Sequence, residues 1–220
     1  MRYKFYREHK YVCAAVNDLE RLIAKTDFSS GLQAKKVKED FDSLVQMLKA
    51  HAHYENSTLH ELLKKKNSDV YKHVEDDHLK YEEYLDDLSL GLDRAITSPN
   101  PEEQIELGYE FYLSFRKFAA VNLLHLHEEE TRVLPELQRL YSDEELARVE
   151  FNSYSVMTPE ELIHMMQVLF PHMNSSDREV FLTDIKACDS AKFAHAWADI
   201  QAIFEPGERQ RLAHKLGQSA

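Results

Sequence analysis

Two short segments, HAHYE (His51 to Glu55) and HLHEE (His125 to Glu129), each set a histidine and a glutamate four residues apart. On an α-helix that interval brings both side chains to one face, one turn apart. An imidazole and a carboxylate held so are a two-donor arm for a first-row metal ion. At about 100° per residue, His125 and Glu129 fall on the side of Leu107, Phe111, Phe118 and Val121, the apolar face. His127 points the other way, Glu128 lies at the edge and Glu130 outside it. His51 and Glu55 likewise share a face with Val37, Leu44, Leu48, Leu59 and Leu62, while His53 and His60 turn away. Two single histidines complete the pattern. His78 lies with Tyr71, Val74, Leu85 and Leu92, with His73 turned aside, and His9 lies with Phe5, Val12, Val16 and Ile23.

These faces need helices to carry them. Breaks at FSSG (Phe28 to Gly31), KKKNSD (Lys64 to Asp69) and TSPNPEE (Thr97 to Glu103) delimit four helical stretches. They run over roughly residues 4–28, 32–66, 69–96 and 101–141. The last begins with Asn100 as N-cap, Pro101 at the first helical position and Glu103 as capping-box partner. Short connections favour antiparallel neighbours, hence an all-α, up-down-up-down four-helix bundle. In such a bundle, residues at one height mirror each other about the intervening turn. The midpoint of His9 and His51 is residue 30, in FSSG; that of His51 and His78 falls between Lys64 and Lys65; that of His78 and His125 falls between Pro101 and Glu102. All four histidines therefore belong to one layer, with Glu55 and Glu129 one turn along.

A single inward histidine is usually a buried polar group satisfied by hydrogen bonds. Four in one layer with two carboxylates are hard to bury that way, since each unpaired ion costs several kcal/mol and no Lys or Arg is evidently placed for both glutamates. A dinuclear metal centre resolves the difficulty, with bridging carboxylates and neutral imidazoles completing each sphere.

Past residue 141 the pattern shifts to shorter helices with start signals at Ser142 (SDEE), Thr158 (TPEE) and Ser176 (SDRE), and two more near Ser190 and Pro206. The chain thus reads as a bundle over 1–141 with an appended C-terminal helical region over 142–220, packed on the bundle or on a second copy of it. A homodimer or a protein partner is the interaction expected of that extension. In HMMQVLFPHM the Met and Phe residues read as core or dimer face, and Trp197 as an anchor of the extension's core. The remaining histidines, His53, His60, His73, His127, His164, His172, His195 and His214, read as surface or ordinary packing.

Composition narrows the function classes. A formal net charge of −12 argues against nucleic acid or an anionic membrane as main partner. No apolar run approaches membrane-spanning length, and two cysteines make no disulfide framework. The first residues, MRYKFYREHKYV, lack an apolar signal core, so a cytoplasmic protein is expected. No Ser-His-Asp arrangement, phosphate-binding glycine loop or paired-Cys zinc motif supports hydrolase or nucleotide chemistry.

REHKYV, HAHYE, EDDHLKYEEYL and above all HLHEEETRVLPEL resemble the hemerythrin-like family, the HHE cation-binding domains, over residues 1 to about 141. The resemblance implies a non-haem centre of two iron ions, oxo- or hydroxo-bridged, inside a four-helix bundle. Carried over, His9 and His51 would serve one iron and His78 and His125 the other, with Glu55 and Glu129 bridging. Oxygen carriers of the family place two histidines on the third helix, where this chain has Val74, and space the last carboxylate differently. One iron then keeps an open position for a small diatomic ligand or peroxide, as in sensing and redox-active members. Glu75 or Glu82 stands near the gap, although a solvated carboxylate is the simpler reading of both. Cys13, one turn after His9, reads as a buried structural thiol. Alternatives are a di-iron oxidase or peroxidase, with Tyr54, Tyr81 and Cys13 as redox candidates, and a metal-stabilised interaction protein.

Overall fold

The computed structural model describes residues 2–218, and all regular structure among them is helical. The elements are α1 (His9–Ala24), α2 (Gly31–Tyr54), a π-helix (Glu55–Leu59), α3 (His60–Lys65), α4 (Tyr71–Thr97), α5 (Pro101–Glu128), a second π-helix (Glu129–Val133) and α6 (Leu134–Leu140). After them come α7 (Asp143–Val156), α8 (Pro159–Leu169), α9 (Ser175–Cys188), α10 (Ser190–Ile200) and α11 (Pro206–Leu216). The chain divides into two compact units, Val12–Leu137 and Met1–Tyr11 with Gln138–Ala220. The division falls inside α1.

In the unit Val12–Leu137 the apolar periodicity of the long helices closes on an aromatic core. Phe41 meets Phe111 edge-on at 5.7 Å and Phe115 at 6.4 Å, and Val16, Val37 and Leu92 are fully buried around them. α4 packs on α5 and on α2. Gly108 is required here, because a Cβ at that position would lie 2.3 Å from the Phe28 ring. Asn100 caps α5 by accepting from the Glu102 amide at 3.0 Å, ahead of Pro101. Glu103 acts at one remove: its carboxylate accepts from the Ser98 hydroxyl at 2.6 Å, and the Asn100 amide donates to that same hydroxyl at 3.2 Å.

The other unit gathers the N-terminal segment and the short helices. Tyr3 is held three ways, its carbonyl accepting from Gln138 at 2.7 Å, its amide donating to Asp143 at 2.9 Å and its hydroxyl donating to Asp184 at 3.2 Å. The first helix starts at His9 rather than near residue 4, since Tyr6 takes a left-handed φ of 68° that no helix accommodates. Complete capping boxes open α7 at Ser142 and α8 at Thr158. α9 starts one residue before Ser176, because Asn174 takes the cap by accepting from the Asp177 amide. Met166, Phe170 and Met173 are buried in this unit's core, where Trp197 stacks against Phe193 and Phe204 at 6.2 and 6.0 Å.

The two long helices that carry the His-x3-Glu arms do not stay α-helical. Each switches to a five-residue π-helix whose first residue is the arm's glutamate. A π turn carries one residue more than an α turn, so every later side chain is rotated back relative to α-helical register.

Candidate metal centre

Four donors within the unit Val12–Leu137 converge. Glu55, His78, His125 and Glu129 each offer a ligand atom, all within 4.8 Å of one another, and all four residues are buried. The two imidazole Nε2 atoms of His78 and His125 are 2.9 Å apart. Carboxylate oxygens approach them at 3.3 Å (Glu129 to His125), 3.4 Å (Glu55 to His78) and 3.6 Å (Glu129 to His78). Donors bound to one ion at about 2.0–2.2 Å lie roughly 3 Å from each other, so these separations are those of a coordination shell. The rings of His78 and His125, 4.6 Å between centroids and 71° apart, meet edge-on instead of stacking. Imidazole and carboxylate donors suit iron, manganese or zinc.

A second set shares the carboxylates. His51, Glu55 and Glu129 also lie within 4.8 Å of one another, and His51 Nε2 is 3.3 Å from Glu55. Both glutamates therefore face His51 as well as the His78–His125 pair. His9 belongs to the other unit, where it opens α1 and is buried, with the Tyr6 ring 4.6 Å from its own. The left-handed backbone at Tyr6 is the strained turn that puts that ring there.

His78 is oriented from behind. Its Nδ1 lies 2.9 Å from the amide oxygen of Asn56, and since that oxygen only accepts, Nδ1 carries the proton and Nε2 faces the carboxylates. Burial lowers the affinity of His78 for a second proton, but hydrogen bonds to Glu129 and Glu55 outweigh it and bring its pKa up to about 9. His125 goes the other way, to about 3, through burial and then the neighbouring His78.

Several side chains meet their sequence-based assignment. His53, His127 and Glu130 are exposed, Glu128 is half-buried, and His73, His164, His195 and His214 are exposed. Val74 is buried one turn before His78. Glu75 bonds Lys64 at 3.0 Å and Glu82 is exposed, whereas Cys13, expected to be buried, is half-buried where it packs against the core. His60 differs. It is fully buried, with neither ring nitrogen hydrogen-bonded among the described residues, and its ring stacks 13° from that of His78 at 5.8 Å. Burial pushes its pKa down to about 4. Straight α-helical projection turned His60 outward and left Asn56 unremarked; the π-helix between Glu55 and Leu59 brings both to His78. Asn122, which the sequence reading passed over, is buried three residues before His125, and that i−3 interval is the signal that could have found it.

A pocket of about 30 Å³ reaches the imidazoles of His51, His78 and His125. Its walls include Leu48, Leu85, Phe118 and Leu126, so it is largely apolar. That volume holds one or two waters, so the space beside the imidazoles suits a small ligand. Tyr81 sets its ring edge-on to His125 at 4.9 Å and donates its hydroxyl to the Val121 carbonyl at 3.2 Å. Burial and the nearby Asp77, Glu129 and Glu128 raise the pKa of that phenol. The family model of the hemerythrin HHE cation binding domain matches residues 1–137. No curated protein and no solved structure matches the chain.

Proposed function

Because the chain belongs to the hemerythrin HHE cation-binding family, we propose that it holds two iron ions and binds or senses dioxygen, peroxide or nitric oxide at an open coordination position. The observation that carries this reading is the pair of donor sets sharing Glu55 and Glu129. The ligands are His9 and His51 for one iron, His78 and His125 for the other, and the two carboxylates as bridges. For His9 the support is its mirror position about the FSSG turn and its place on α1, which runs on into the core with Val12 and Val16. We further assign residues 1–141 to an up-down-up-down four-helix bundle, 142–220 to an appended interaction or packing region, and the protein to the cytoplasm. Among the described residues no helix is long and apolar enough to cross a membrane.

An iron pair supplies redox change and a position for a small ligand; the protein supplies the rest. Asn56 keeps the Nε2 of His78 directed inward, Glu55 and Glu129 balance cationic charge in a buried site, and Leu48, Leu85 and Phe118 limit water and ligand size. Val74, buried one turn before His78, occupies the position where the resemblance to oxygen carriers would put a further imidazole. The test is to mix anaerobic, reduced, iron-loaded protein with dioxygen or peroxide and follow visible absorption. A single change that stops is the outcome expected of a sensor, and sustained consumption with a reductant would assign an oxidase or peroxidase. Val74→His should slow the reaction. Fully reversible oxygenation of the native protein would overturn the reading of Val74 as a missing ligand, and no reaction at all would sink the open-site reading in favour of a structural metal.

A further inference from the structure

We propose that Asn122 is the hydrogen-bond donor that holds the small ligand in the pocket over the imidazoles, selecting ligands that end in an acceptor atom. The inference rests on the reading of that pocket as the ligand site. Asn122 lies on α5, so its interval of three from His125 and four from Leu126 puts all three on one helical face. All three line the same pocket. Asn122 is 4% exposed, and its amide nitrogen is buried without a hydrogen-bond acceptor among the described residues.

A buried amide left so is costly, and native proteins rarely keep one without a water or ligand to receive it. Apart from the imidazoles, where His125 Nδ1 is also buried without an acceptor among the described residues, the rest of the lining offers no rival neutral donor. The Tyr81 hydroxyl is already given to Val121, Lys49 lies 3.4 Å from Asp86, and the remaining walls are mostly aliphatic or aromatic. An apolar enclosure strengthens the one hydrogen bond it contains. A ligand with a terminal acceptor, such as azide or peroxide, would gain from Asn122, whereas one with a weak acceptor end would find an unpaired amide.

Azide serves as the probe, titrated by absorbance into oxidised, iron-loaded protein, with its asymmetric stretch recorded by infrared. Asn122→Leu keeps size and removes the donor; it should leave iron content unchanged, weaken azide roughly 5- to 20-fold and shift the stretch. Asn122→Ser, which restores a hydroxyl donor, should recover part of both. In native protein the stretch should also move between light and heavy water, a measurement that does not depend on any variant folding. Equal azide affinity and an unmoved stretch in Asn122→Leu, or no solvent-isotope shift in native protein, would overturn the role of Asn122 alone. An iron-loaded native protein that binds no azide would overturn the pocket as a ligand site and Asn122 with it.

Discussion

The arm from His51 to His60 and the arm from His125 to Leu134 share one backbone plan. Each has His, then Glu four residues on, then a π-helix opening at that Glu, then α-helix again. They differ in the residues beyond the glutamate. The next residue is Asn56 on one arm, turned to His78, and Glu130 on the other, left exposed. The fifth residue is His60 on one and Leu134 on the other, and both are buried. A histidine and a leucine thus reach equivalent interior positions, so the inward turn belongs to the backbone and not to the side chain. The backbone supplies the position, and the residue decides whether it does packing or chemistry.

Removing a shared element should have the largest effect. Glu55→Ala and Glu129→Ala should each lose most of the bound metal, whereas His53→Ala and His127→Ala, on exposed faces, should retain it. Elemental analysis reads this directly, and a loss confined to one glutamate variant would break the equivalence of the arms. Stripping the metal should next lower hydrogen-exchange protection around His51 and His125 together, and more than in α7 to α11, since the ions stabilise the state that binds them. Unchanged protection at either histidine would count against that arm.

Asn56→Leu probes the asymmetry between the arms. Loss of a group that orients a ligand costs roughly 10- to 100-fold in metal affinity, measurable by chelator competition, while Glu130→Leu should cost none. Acidity comes next. In stripped protein, His125 and His60 have folded pKa values of about 3 and about 4, below the unfolded value, so stability falls as pH drops below about 6.5. His78, raised to about 9, contributes stability that is complete below about pH 6.5 and lost as pH rises through 9. Thermal melts of stripped protein should therefore peak near pH 6.5, and His125→Leu should flatten the acid side. The smallest effect is expected from His60→Phe, which keeps the ring against His78 and removes two buried nitrogens; stripped protein should gain about 1 kcal/mol in urea unfolding. A loss of metal in that variant would show that His60 works as a donor after all.

Much of the site was legible in the sequence, for a physical reason. Regular helices obey a fixed rotation, so His51, Glu55, His78, His125 and Glu129 could be placed inward from spacing alone, and their convergence came from where the turns fall. His60 and Asn56 were not legible, because a π turn is a hydrogen-bond choice that no residue in Glu55–Leu59 announces. Tyr6 defeated the helix boundary for a kindred reason, as a left-handed tyrosine has no sequence signature. The grouping of residues 1–11 with the C-terminal helices rests on long-range contacts such as Tyr3 with Asp184, which local pattern does not carry.

The burial of the donors also governs how the ions would leave. Glu55, His78, His125 and Glu129 are all buried, so a chelating agent that wraps a cation cannot reach one held among them without displacing side chains. Extraction must therefore await transient opening of the structure around them, and its rate should saturate with chelator concentration while rising with mild urea. Retention of the metal would then be set by the frequency of such openings as well as by affinity. Two variants of equal affinity could thus hold their ions for very different times.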